Sequence, residues 1–121
     1  PLLLLGVSRK EAKKRAMELI NTFGMEDRIY NLPRNLSGGQ QQRIAIARSL
    51  ITNPQLILCD DPTASLDHKS AKIVMDMLSK LSLDNRAVIV VTHDVRLKKF
   101  ADRTIYLSEG KISETSIENE F

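Results

Sequence analysis

The chain has 121 residues, 42% of them hydrophobic and 27% charged, the composition of a globular piece no larger than one domain. Its longest apolar run near the start, residues 2–5, is too short to cross a bilayer. No basic segment followed by an extended apolar stretch precedes it, so neither a spanning helix nor a secretory signal is indicated. A single cysteine, Cys59, excludes an internal disulfide framework and reads as a small core residue, and the net charge of +3 is the narrow balance of 18 basic and 15 acidic side chains.

Along the chain, Ser8 and Glu11 have the spacing of a capping box for a helix that runs to about Phe23, with Gly24 as its stop. Arg9, Lys10, Lys13, Lys14 and Arg15 cluster on it but alternate with Ala12, Ala16, Leu19 and Ile20 and lack interleaved aromatics. They read as a solvated helix face, with nucleic acid not expected as a partner and anionic lipid headgroups left open. Residues 25–35 are polar and irregular, and Pro33 blocks continuation into the next helix. That helix is capped by Ser37 and carries Ile44, Ala47, Leu50 and Ile51 at helical spacing until Pro54 stops it.

The remainder alternates. Residues 56–60 form a short apolar run ending in Asp60, the pattern of a buried parallel strand. Asp67 caps a helix to about Leu81 whose stripe Ile73, Val74, Met77, Leu78 and Leu81 is expected on the sheet. A second strand covers 87–92, Asp94 caps a short helix to Ala101, and residues 104–112 read as a hairpin turning at Glu109-Gly110.

Two features concern chemistry. Gly38 and Gly39 in the first turn after the Ser37 cap leave backbone N–H groups unshielded at the positive end of a helix dipole, which suits an anion; a bare Ser-Gly-Gly also occurs in ordinary capped helices. A carboxylate at the end of a parallel strand is where open α/β sheets meet ligands, although an isolated Asp60 also reads as a turn residue.

The octapeptide Leu36-Ser37-Gly38-Gly39-Gln40-Gln41-Gln42-Arg43 resembles the signature motif of ABC-type ATPases. Residues 56–60 resemble Walker B, Ala64-Ser65-Leu66-Asp67 the D-loop, and Val91-Thr92-His93-Asp94 the switch-histidine segment, in that family's order. The lead-in 1–34 is most similar to the lipoprotein-release and macrolide-export branch. The resemblance implies a partial P-loop NTPase-like α/β fold, with residues 1–53 as a helical subdomain and 54–121 as the C-terminal part of the ATPase core. No Gly-x-x-x-x-Gly-Lys-Ser/Thr stretch occurs between Pro1 and Phe121, and Gly110-Lys111 reads as a turn. The family's Q-loop glutamine is missing as well, so the chain reads as the C-terminal half of a nucleotide-binding domain that begins upstream of Pro1.

From the resemblance, Asp60 is expected to hold Mg²⁺ through its water shell, Asp61 to polarise the attacking water, and His93 to reach the γ-phosphate. The family has glutamate at the place of Asp61. Aspartate is shorter by a methylene, setting its carboxylate back by about 1 Å, a misplacement that can cost roughly 10²-fold in rate. Ser37, Gly38, Gly39 and Gln40 are expected to meet the γ-phosphate of an ATP held by a second subunit, and Asp67 to carry information across the dimer. The implied activity is ATP hydrolysis coupled to transport, with a second nucleotide-binding subunit, identical or not, and transmembrane permease subunits as partners. The implied place is the cytoplasm at the inner face of the cell membrane. A soluble ABC protein without membrane partners and a degenerate regulatory half-site are the alternatives.

Overall fold

The computed structural model describes residues 1–114, so the last seven residues of the second expected segment lie outside the description. A short 3-10 turn at Leu2–Leu5 leads into helix α1, Arg9–Thr22, and two more 3-10 turns, Glu26–Arg28 and Pro33–Asn35, occupy the irregular stretch before helix α2, Gly38–Leu50. Strand β1, Leu56–Asp60, is followed by helix α3, His68–Ser82, strand β2, Ala87–Val91, a 3-10 segment Val95–Phe100, and the hairpin of β3, Tyr106–Ser108, and β4, Lys111–Ser113.

Capping explains most of these boundaries. Ser8 Oγ accepts from the N–H of Glu11 at 3.3 Å, but the Glu11 carboxylate turns forward to Arg15 at 2.9 Å, so only half of the expected box forms at α1. An i,i+4 ion pair is available to Glu11 along the helix face, and it takes the side chain. α2 ends three residues before its expected limit, because Asn53 adopts a left-handed φ of 54° and its N–H bonds the carbonyl of Leu50 at 2.8 Å. At the hairpin both turn residues have positive φ, 49° at Glu109 and 75° at Gly110, the two-residue turn whose twist suits antiparallel strands.

β1 and β2 pair in parallel, with Leu56 opposite Ala87 and Asp60 opposite Val91. At their starts Arg86 donates from Nε to the carbonyl of Pro54 at 3.1 Å and from Nη2 to Oδ1 of Asn53 at 2.6 Å, pinning the entry of one strand to that of the other. Period-2 alternation sends Ile57, Cys59, Val88 and Val90 to the face covered by the helices. Burial pushes the Cys59 thiol above its ordinary value, as expected of a core cysteine.

The core joins Phe23, Met25, Ile46, Ala47 and Leu50 to Ile57, Val74, Met75, Leu78 and Leu97, so it is drawn from both sides of the 53/54 boundary. On α3 the buried stripe is Val74, Met75 and Leu78. Ile73, expected in the core, is 36% exposed, and Met75 is buried in its place, since α3 packs on α2 as well as on the sheet. Full burial of side chains of this size stabilises by about 2 kcal/mol each relative to exposure.

Candidate functional site

Two groups of residues carry the motif chemistry, and a short loop connects them. The first lies where β1 and β2 end. Asp60, the last residue of β1, is exposed. Asp61 follows it with a left-handed φ of 42°, and its N–H bonds the carbonyl of Val91 at 2.7 Å, continuing the ladder one step past the strand. Aspartate tolerates this backbone region better than most residues, because its short polar side chain can bond locally. Here Asp61 Oδ1 accepts from the hydroxyl of Thr92 at 3.3 Å, and that same Thr92 oxygen accepts the N–H of Asp94 at 3.0 Å. His93 is exposed between these two and makes no hydrogen bond among the described residues.

The second group surrounds the entrance of α2. Ser37 Oγ accepts from the N–H of Gln40 at 3.2 Å while Gln40 Oε1 accepts from the N–H of Ser37 at 3.0 Å, a reciprocal capping box. Gln41 donates from Nε2 to the carbonyls of Pro33 and Leu36, each at 3.1 Å, which fixes the approach of the preceding turn. With its acceptor role used in the cap, the Ser37 hydroxyl keeps its proton to donate, and the Gln40 amide keeps its two N–H donors. Gly38 is exposed and Gly39 is buried.

Asp67 sits beside this turn as the cap of α3. Its carboxylate accepts from the N–H of Ser70 at 3.1 Å and from the Ser70 hydroxyl at 3.2 Å, and these bonds hold its pKa below the ordinary carboxylate value. The loop between the groups is fixed from within. Ala64 N–H bonds the carbonyl of Asp61 at 3.1 Å, Leu66 N–H bonds that of Thr63 at 3.1 Å, and Pro62 and Thr63 are buried.

Next to the first group, Asp94 caps the 3-10 segment and binds Arg96 through both carboxylate oxygens, which lowers its pKa to about 2. A separate cleft of about 370 Å³, bordered by Arg15, Glu18, Asn53 and Arg86, opens at the starting ends of β1 and β2, away from the motif residues.

The structure thus brings Asp60, Asp61 and His93 to one end of the sheet, and Ser37, Gly38, Gly39, Gln40 and Asp67 to the mouth of α2. Motif reading alone missed Thr92 and Ser70. Their signals are modest: a hydroxyl at the end of a strand paired with one that ends in aspartate, and a serine three residues after an aspartate cap. As for a metal, no group of three or more His, Cys, Asp or Glu side chains is assembled among the described residues. One exposed carboxylate at a strand end fits Mg²⁺, which keeps several waters and needs only one or two protein carboxylates beside the phosphates.

A protein-family model described as ABC transporter matches residues 4–64. The macrolide export ATP-binding/permease protein MacB of Bartonella henselae is 45% identical over 93% of this chain, which spans 17% of that protein. The uncharacterised ABC transporter ATP-binding protein MJ0796 of Methanocaldococcus jannaschii is 46% identical over 88% of the chain and 46% of its own length. A solved structure of the MJ0796 cassette, a dimer in a post-hydrolysis state with ADP and phosphate, superposes with a TM-score of 0.73 at 44% identity, over 89% of this chain and 49% of the cassette. The chain therefore spans about half the length of a single cassette.

Proposed function

The chain belongs to the ABC transporter family, and from that premise we propose that it is the signature-bearing part of an ATP-binding, ATP-hydrolysing subunit that powers a transport complex. The observation that carries the reading is the pairing of two incomplete half-sites in one chain. A capped Gly-Gly turn with free donors and a strand-end pair of carboxylates beside a histidine are both present, and a phosphate-binding loop is not found in the 121 residues.

In this reading the phosphate cradle for the Asp60–Asp61–His93 group comes from a segment outside these residues, and the Ser37 turn completes the corresponding site of a second subunit. Ser37 Oγ–H and the Gln40 amide donate to the terminal phosphate there, aided by the N-terminal end of α2. Asp60 would hold Mg²⁺ through its water shell, and the ion would offset charge on the phosphates. Asp61 orients the attacking water, and His93, unencumbered at the strand end, donates to the γ-phosphate. Binding across two molecules makes closure of the dimer depend on nucleotide, the property a transporter needs to drive its membrane partners.

Among the described residues no helix is long and apolar enough to cross a membrane, so transport requires transmembrane subunits or domains beyond them. The transporter reading is preferred to a soluble ABC protein because the family model and the relatives are named as transporters. We place the subunit on the cytoplasmic face of the cell membrane and in the macrolide-export-like branch, on the similarity to MacB. The test uses a complete domain, this chain preceded by a segment with a Gly-x-x-x-x-Gly-Lys-Ser/Thr loop. It is expected to dimerise on ATP and hydrolyse it with Mg²⁺, His93→Ala is expected to lose turnover while still binding nucleotide, and residues 1–121 alone are expected to be inactive. Robust turnover by 1–121 alone, or none by the complete domain, refutes the reading.

A further inference from the structure

The bare side of the signature turn faces its own chain. A Cβ built on Gly38 would lie 3.4 Å from Leu66 Cδ2, an ordinary contact, but one built on Gly39 would lie 3.0 Å from both Cβ and Oγ of Ser70. Gly39 is helical and buried, with no positive φ to require glycine, so what requires it is this close approach. Ser70 has little room to yield. Its N–H and its hydroxyl are both bonded to the Asp67 carboxylate, and its Cβ is carried by the first turn of α3, so relief would break the cap or shift the helix.

We propose that Ser70 is a positioning residue that fixes the spacing between the Ser37–Gln40 turn and Asp67, so that both are presented to the second subunit as one rigid unit. Gly39 is glycine to admit Ser70. The proposal rests on the dimeric reading above. It ties one hydrogen-bonded cap to one steric contact: Asp67 holds Ser70, and Ser70 sets how deeply the turn seats. Ligand contacts at Ser37 and the loop contact at Asp67 then move together when the dimer closes, without any bond between those two side chains.

The complete domain tests this through steady-state ATP turnover. Gly39→Ala is expected to lower kcat about tenfold with KM for ATP within about twofold, because the cradle that binds ATP lies elsewhere. Adding Ser70→Gly removes the clashing Cβ, and Gly39→Ala/Ser70→Gly is expected to return to within about threefold of Ser70→Gly alone. Gly39→Ala/Ser70→Ala keeps the Cβ and is expected to stay slow. Ser70→Ala by itself, which keeps the packing and removes only the hydroxyl, is expected to lower kcat about threefold at unchanged KM.

An unimpaired Gly39→Ala, a Gly39→Ala/Ser70→Gly enzyme as slow as Gly39→Ala, equal rescue by Ser70→Ala, or a Ser70→Ala kcat equal to wild type each overturns the proposal while leaving the transporter function standing. A wild-type domain without turnover overturns both.

Discussion

The hydroxyl of Thr92 donates to Oδ1 of Asp61 across 3.3 Å, tying the residue after β1 to the residue after β2. The same oxygen accepts the N–H of Asp94, so one threonine orients the carboxylate and anchors the segment that carries His93. In the complete domain, Thr92→Val is expected to lower Mg²⁺-dependent turnover several-fold, roughly what about 1 kcal/mol of lost positioning costs, and Thr92→Ser to restore it. Turnover of Thr92→Val equal to wild type would mean that the bond leaves the reacting geometry untouched.

Asp61 combines a left-handed backbone with a carboxylate one methylene shorter than the glutamate that the family resemblance implies at this place. Asp61→Glu is expected to preserve or raise turnover in the complete domain, since it restores reach toward the water. It is also expected to lower the melting temperature slightly, because glutamate tolerates a left-handed backbone at φ 42° less well than aspartate, a difference on the order of 1 kcal/mol or less. Asp61→Asn keeps the turn and removes the carboxylate proposed to orient the water, so stability should persist while hydrolysis is lost. A fall of more than about tenfold in Asp61→Glu turnover would show that the site is built around the shorter side chain.

These two residues mark where sequence was legible and where it was not. Ser37, Asp67 and Asp94 each announce a helix start, and all three accept the backbone N–H bonds expected of a cap, because capping is a local matter settled within three residues. The strand ending in Asp60 was equally plain from its apolar run. What escaped depended on partners distant in sequence. Thr92 meets Asp61 across the strand pair, Ser70 meets Gly39 between two helices, and Met75 replaces Ile73 because α3 must satisfy both α2 and the sheet. Glu11 shows that even a local pattern has competitors, since its carboxylate chose Arg15 over the cap.

The Asp94–Arg96 pair provides a pH signature. Its bonds to Arg96 hold the Asp94 carboxyl at about 2, against an ordinary value of 3.8. A carboxylate depressed on folding contributes stability that is fully present above the ordinary value and is lost as pH falls through the folded one. Thermal melts of wild type and Arg96→Ala should therefore differ by a constant small amount from pH 7 to about 4, and converge between about pH 4 and 2. Curves that stay parallel down to pH 2 would show that Arg96 stabilises by packing and not through Asp94.

The outer face of the parallel pair decides how residues 1–121 behave alone. Leu56, Leu58, Ile89 and Val91 are 51%, 70%, 52% and 59% exposed, although parallel sheets are ordinarily covered on both faces. With β1 and β2 as the whole of that sheet among the described residues, two strand edges are open as well. An apolar face beside unpaired N–H and C=O groups is a template for further strands, and it is where the rest of a cassette is expected to pack. Purified 1–121 should therefore self-associate with rising concentration, seen by light scattering and by binding of a hydrophobic dye. Leu58→Thr/Ile89→Thr should reduce both signals, since threonine keeps β propensity on a wetted face and leaves the helix-side core untouched. Cooperative unfolding of 1–121 as a monomer at high micromolar concentration, with no dye binding, would show that this face is stable in water and needs no covering segment.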